Sequence, residues 1–331
     1  MLSRSQPPPG SRPIPSLPSH PVIGDLLEVR RDGLFEAAAR RFRELGDIFE
    51  IKLGAVRLVY LTRPEHIHHV STTRQENYEK GASVSDLKHL VGNGLFTADG
   101  EEWRKNRSLL QPKFRKQAVA RYAPMMIAAC EELHDRWASR VDETVDMADE
   151  MMALALSIVG RTMFSRLVSE EEDAIGEAYR EALSELGNRG EQFVPLPMWL
   201  PTETNRRFRR AKAFIDAYIA KTVAERRLND TRYDDLLDAL LDAAKHGGMS
   251  ETQLRDEVST VFLAGHETTA LALTYAFHLL ALHPEVDARL EAELREVLGD
   301  RPPTMEDIGS LPYTRMVGEE ALRICPPVWI Y

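Results

Sequence analysis

Apolar residues recur every three or four positions from Leu34 to Leu45, and Gly46 follows, so the pattern predicts a short amphipathic helix with a glycine stop. The period then changes. Phe49, Ile51 and Leu53 alternate with Glu50 and Lys52, Gly54-Ala55 suits a tight turn, and Val56 to Leu61 returns, which predicts an antiparallel β-hairpin over 48–61. Pro64 opens another helix, at a position proline favours. From Asp99 onward nearly every segment carries the helical period. Ser169 with Glu172, and Ser250 with Gln253, have the spacing of capping boxes. Pro195, Pro197 and Pro201 predict a loop around Trp199, and Gly247-Gly248 separates an acidic amphipathic helix, Asp234 to Lys245, from a long apolar one, Ser250 to Leu282. Pro284 marks its end, a further helix runs from Glu285 to Leu298, Arg301-Pro302-Pro303 connects, and a last helix, Pro312 to Ile324, stops at Pro326-Pro327.

The expectation is a mainly α, multihelical fold with a small β-hairpin near the N-terminus. Residues 1–21, with seven prolines, read as an extended leader, partly disordered or docked on the body, and residues 22–331 as one domain without internal repeat or splitting linker. Forty-two basic against 52 acidic residues give a net charge of −10, which argues against nucleic acid as the main partner. Two cysteines, Cys130 and Cys325, cannot form a disulfide framework or a Cys-rich metal site, so a cytoplasmic location is expected. Met1 to Pro21 has no apolar core of a secretory signal. Val258 to Leu282 is the only stretch resembling a membrane span. It carries His266 and Glu267 at its centre, which is expensive in hydrocarbon, so a buried core helix is expected and no transmembrane anchor.

Four groups of residues can carry chemistry. Ala264-Gly265-His266-Glu267-Thr268-Thr269 interrupts the long apolar helix with a glycine, an acid and two hydroxyls. Threonine hydroxyls compete for the i−4 carbonyl, so the run suits a satisfied polar kink in a core helix or a locally widened groove for a small ligand and a proton route. The same His-Glu pair lacks the second histidine of a zinc motif, since residue 270 is alanine. His66, His68 and His69 lack an acidic or thiolate partner at metal spacing and read as a solvated helix face. Trp103 and Arg107, four apart, project an indole N–H and a guanidinium together, either as a cation–π surface pair or as donors to a carboxylate or phosphate. Glu320 and Arg323, three apart among apolar neighbours, read as an ion pair with at least partial burial.

In their order along the chain these segments resemble the cytochromes P-450, the haem-thiolate monooxygenases, from the Pro-rich leader to the last residue. The Ala-Gly-x-Glu-Thr-Thr run is similar to the family's oxygen-binding motif. Trp103 and Arg107 resemble its propionate-binding pair, and Glu320-x-x-Arg323 its buried salt-bridge network. The hairpin at 48–61 and Leu311-Pro312-Tyr313 fit as well.

The resemblance implies a multihelical P-450-like fold, haem b as cofactor, and insertion of one oxygen atom of O2 into a small hydrophobic organic substrate. Electrons would come from a ferredoxin- or flavodoxin-type donor or a reductase. It makes Thr268 the group that hydrogen-bonds the bound oxygen, and Glu267 its link to solvent. Gly265 and Ala264 lie beside the haem, with Gly265 leaving room over it, and Leu95 and Phe96 line the substrate pocket, although Phe96 equally suits the core. The chain stops at Tyr331 without the family's Cys-containing ligand loop, and neither Cys130 nor Cys325 has that loop's Gly-rich, Phe-containing setting, so no metal ligand is assigned. On that reading the chain lacks the C-terminal part of the fold and is itself inactive. The alternative is an inactive helical fragment or a non-catalytic remnant that binds hydrophobic ligands. Gly318, inside the last helix, is a further irregularity.

Overall fold

A computed structural model describes residues 12–165, 170–190, 197–229 and 231–330. Among them are thirteen α-helices and one two-stranded sheet. In order these are α1 (Leu26–Asp32), α2 (Leu34–Leu45), β1 (Ile48–Leu53), β2 (Val56–Leu61), α3 (Pro64–His68), α4 (Ala82–Val91), α5 (Gly100–Leu110) and α6 (Lys116–Ala138). Then follow α7 (Met147–Phe164), α8 (Glu170–Gly190), α9 (Glu203–Leu228), α10 (Leu236–Lys245), α11 (Glu251–Leu282), α12 (Pro284–Leu298) and α13 (Pro312–Ile324). The mainly α fold and the hairpin follow the sequence pattern. The cap expected at Ser169 lies outside the described residues, as does Pro195.

The chain divides into two compact units, one of residues 1–79 with 187–197 and one of residues 80–186 with 198–331. In the first, β1 and β2 pair antiparallel with Phe49 opposite Tyr60, their rings stacked 4.9 Å apart. Ala37, Ala38, Phe49 and Ile51 form its core. Strict alternation fails at Glu50, which is buried because its carboxylate pairs with Arg57 across the hairpin and its N–H donates to Pro15 O at 2.9 Å. Pro15 of the leader is thereby docked on β1.

The second unit is organised around α11, 32 residues long and so about 48 Å from end to end. Ser250 and Gln253 close a reciprocal capping box at its start. The apolar stripe Leu254, Val258, Phe262 is buried against α7, α9 and α10. Phe262 stacks on Phe164 of α7 at 4.2 Å and meets Tyr218 of α9 edge-on at 5.7 Å. Asp146, Thr202 and Asp235 cap α7, α9 and α10 by accepting backbone N–H bonds. Among the described residues no helix is long and apolar enough to cross a membrane.

Candidate functional site

The helix α11 runs unbroken through Ala264-Gly265-His266-Glu267-Thr268-Thr269. Thr268 Oγ1 donates to Ala264 O at 2.7 Å, the back-bond that a helical threonine can make. The helix stays α-helical there, so the local widening expected from the composition is absent. A carbonyl has two lone pairs, and the hydroxyl can be added without displacing the helical bond. Ala264, Thr268 and Tyr275 share one face. Ala264 and Tyr275 are exposed and Thr268 half-buried, while Phe262 and His266 behind them are buried. The helix thus presents an open, largely apolar face with the Thr268 hydroxyl near its middle and the Tyr275 phenol toward its C-terminal end.

The neighbours of that face are polar in different ways. His266 Nδ1 lies 2.5 Å from Phe262 O and its ring 5.4 Å from that of Tyr179. Burial holds its imidazole below the ordinary value, which keeps the ring neutral near pH 7. Burial raises the carboxyl of half-buried Glu267 above the usual range, against the opposing pull of Arg180. Gly265 is turned toward α7: a Cβ there would stand 2.7 Å from Val159 Cγ2. The space left by its missing side chain is filled by Val159.

On α5, Trp103 is half-buried and Arg107 exposed, one turn apart. Neither the indole N–H nor the guanidinium has a hydrogen-bond or ion-pair partner among the described residues. The start of α5 is tied to the start of α11 through Glu102, whose Oε1 accepts from Gln253 Nε2 at 2.9 Å and whose Oε2 accepts from Asn93 Nδ2 at 2.5 Å.

Residues 92–98, just before α5, lie against the same end of α11. Asp256 Oδ2 accepts from Asn93 N at 2.7 Å and Glu257 Oε2 from Leu95 N at 3.0 Å. Gly92, at φ +70°, and Gly94 make the approach possible: a Cβ would meet the Asp256 carboxylate at 2.1 Å in the first case and Thr260 Oγ1 at 2.2 Å in the second. Lys80 Nζ donates to Leu95 O at 3.2 Å and Ala98 O at 2.5 Å. Leu95 is half-buried against the core, and Phe96 is 49% exposed. Glu257 is fully buried with Oε1 unpaired, and its carboxyl is pushed up to about 7, mainly by burial. Sequence reasoning missed this residue. The signal available was an acidic pair at otherwise buried positions of an apolar helix.

The remaining candidates are more ordinary. Glu320 and Arg323 form a two-fold hydrogen-bonded pair at 2.7 Å, but the side chains are 53% and 71% exposed. The expected partial burial is therefore not found: α13 buries only Ala321. His69 packs edge-on to Tyr78, His68 Nδ1 meets Thr73 Oγ1 at 3.1 Å, and no group of three or more His, Cys, Asp or Glu among the described residues is placed to hold a metal.

The family profile described as "Cytochrome P450" matches residues 14–330. The chain belongs to the cytochrome P450 family. Pentalenene oxygenase of Streptomyces avermitilis is 34% identical over 316 residues, covering 94% of this chain and 69% of that protein. Cyclooctat-9-en-7-ol 5-monooxygenase of Streptomyces melanosporofaciens is 36% identical over 293 residues, covering 86% and 62%. The bifunctional cytochrome P450/NADPH–P450 reductase 2 of Bacillus subtilis is 27% identical over 325 residues, covering 95% and 31%. The chain thus spans roughly two thirds of the length of the two Streptomyces P450 relatives.

The cofactor of P450 proteins is haem b. The donor set suits it in part. The open apolar face of α11 can lie along a flat macrocycle, and the unpartnered Trp103–Arg107 pair matches a propionate. Neither cysteine shows the surroundings of a metal-ligating thiolate. The thiol of Cys130 is raised by burial and by Glu131, and Cys325 ends α13 directly before Pro326.

Proposed function

We propose that the protein is a haem monooxygenase that inserts one atom of O2 into a small, largely apolar organic molecule. The other atom leaves as water, with two electrons from a ferredoxin- or flavodoxin-type donor or a reductase and two protons from solvent. The observation that carries this reading is the open apolar face of α11, with the Thr268 hydroxyl on it and the Glu267 carboxyl adjacent in sequence. Haem, when bound, supplies the redox centre at which dioxygen is reduced.

This chain's residues take the other tasks. Trp103 Nε1 and the Arg107 guanidinium hold a propionate. Ala264 presents a methyl group to the ring and excludes water. Thr268 turns its hydroxyl from Ala264 O to pass a proton at Oγ1. Glu267, which keeps its proton to higher pH than an ordinary carboxyl, resupplies it from solvent. Leu95 and Phe96 form an apolar wall for the substrate. The Streptomyces relatives are named for oxygenating pentalenene and cyclooctat-9-en-7-ol, which supports a compact apolar organic substrate. Two unpaired cysteines suit a cytoplasmic location.

The test is the ratio of product formed to electrons consumed in the haem-loaded enzyme carrying Thr268→Ala or Glu267→Gln. Haem content is expected to stay unchanged while that ratio falls several-fold, because these groups move protons and do not hold the cofactor. Tight coupling in both variants would refute the assignment.

A further inference from the structure

The backbone of Leu95 is held at both ends. Its N–H donates to Glu257 at 3.0 Å and its carbonyl accepts from Lys80 at 3.2 Å. The neighbouring residues leave it little freedom. Asn93 N–H is taken by Asp256, Thr97 Oγ1 bonds back to Gly92 O at 2.7 Å, and Gly92 and Gly94 press against Asp256 and Thr260 so closely that no side chain would fit. Burying a carboxyl to accept one N–H is costly unless something is gained, because its second oxygen is left unpaired. An apolar residue at 257 would suit the buried helix face better. What the carboxyl does provide is a fixed orientation for the backbone of Leu95, the residue directly before exposed Phe96. Glu257 also lies on the same face of α11 as Ala264 and Thr268, seven and eleven residues away, or about 10 and 16 Å along the axis. The Leu95 backbone that it fixes therefore stands at one end of the open face.

We infer that Glu257 is a positioning residue for substrate selection: together with Lys80 it fixes the backbone of Leu95 so that the Leu95 and Phe96 side chains discriminate apolar substrates by width. The inference rests on the proposed role of Leu95 and Phe96 as a pocket wall, and the experiment separates the two.

The full 331-residue chain is compared with Glu257→Leu, Glu257→Gln, Lys80→Met and Phe96→Ala. Amide hydrogen exchange over residues 92–98 reads the clamp, and the ratio of affinities for naphthalene and pyrene, followed by their fluorescence, reads selection by width. Glu257→Leu and Lys80→Met are expected to speed exchange on the order of tenfold. They are expected to shift the affinity ratio toward pyrene by about threefold or more, as Phe96→Ala does. Glu257→Gln keeps an oxygen acceptor and should retain both wild-type readings, a rescue that a requirement for negative charge at this position would not give. Lys80→Met carries the test if Glu257→Leu does not fold. Unchanged exchange in both clamp variants overturns the inference. So does faster exchange with an unchanged ratio while Phe96→Ala shifts it. A ratio that Phe96→Ala leaves untouched sinks the pocket-wall reading, and the selection role falls with it.

Discussion

Gly265 and Val159 are in a contact that a single methyl group would break: a Cβ on residue 265 would stand 2.7 Å from Val159 Cγ2. Valine is stiff at χ1 within a helix and cannot swing aside, so α7 and α11 would have to separate. Gly265→Ala is expected to destabilise the protein by roughly 1–3 kcal/mol through overpacking. Combining it with Val159→Ala should recover on the order of 1 kcal/mol relative to the sum of the single changes. Urea unfolding of the four proteins gives the coupling, and strict additivity would show that the contact is relieved at no cost.

Arg107 is exposed and unpartnered, so its removal should leave stability within about 0.5 kcal/mol of wild type. If its guanidinium holds a propionate, Arg107→Ala should weaken haem binding by about tenfold, the worth of one charge-assisted hydrogen bond. Arg107→Lys should be intermediate, since lysine keeps the charge and loses the planar fork. Titration with hemin, followed by the quenching of tryptophan fluorescence, measures this. Equal affinity for all three proteins would remove Arg107 from the site.

What could be read from the sequence was local. Ser250 with Gln253 announced the start of α11, and the alternation from Phe49 to Leu53 announced the hairpin, because caps and strand periods are set by residues close in the chain. The bonds from Asn93 to Asp256 and from Leu95 to Glu257 could not be read in this way, since they join segments more than 160 residues apart. Exposure was equally hard to judge. Glu320 and Arg323 have the same spacing whether α13 is covered or not, and only packing decides. At Gly265 the composition indicated a special position, but whether the missing side chain makes room for a ligand or for a neighbouring helix is a tertiary matter.

Gly318 lies in α13 with no atom near where a Cβ would be, and it is exposed. It therefore contributes only backbone freedom to the unfolded chain. Gly318→Ala should stabilise the protein by about 0.5–1 kcal/mol, seen as a higher urea midpoint with an unchanged slope. A loss of stability would mean that the position has a contact or a backbone demand beyond helix propensity.

The pH dependence of stability should carry a signature of Glu257. Its carboxyl titrates at about 7 in the folded protein, against an ordinary value of 4.5, because burial, Asp256 and Glu102 outweigh the Leu95 N–H and Lys80. Between those two values the folded protein keeps a proton that the unfolded chain has released. Stability therefore falls as pH rises from 4.5 to 7 and levels off above, by roughly 3 kcal/mol if the whole shift is expressed. His266, lowered by burial, acts in the opposite sense: it costs stability as pH falls below the ordinary histidine value. The two effects overlap in wild type, so the informative quantity is the difference between wild type and Glu257→Gln at each pH. Glutamine cannot titrate but keeps an acceptor for Leu95. The variant should gain on wild type steadily from pH 4.5 to 7 and hold a constant advantage above it. A difference that does not change with pH across this window would mean that Glu257 titrates at the same pH in the folded and unfolded chain.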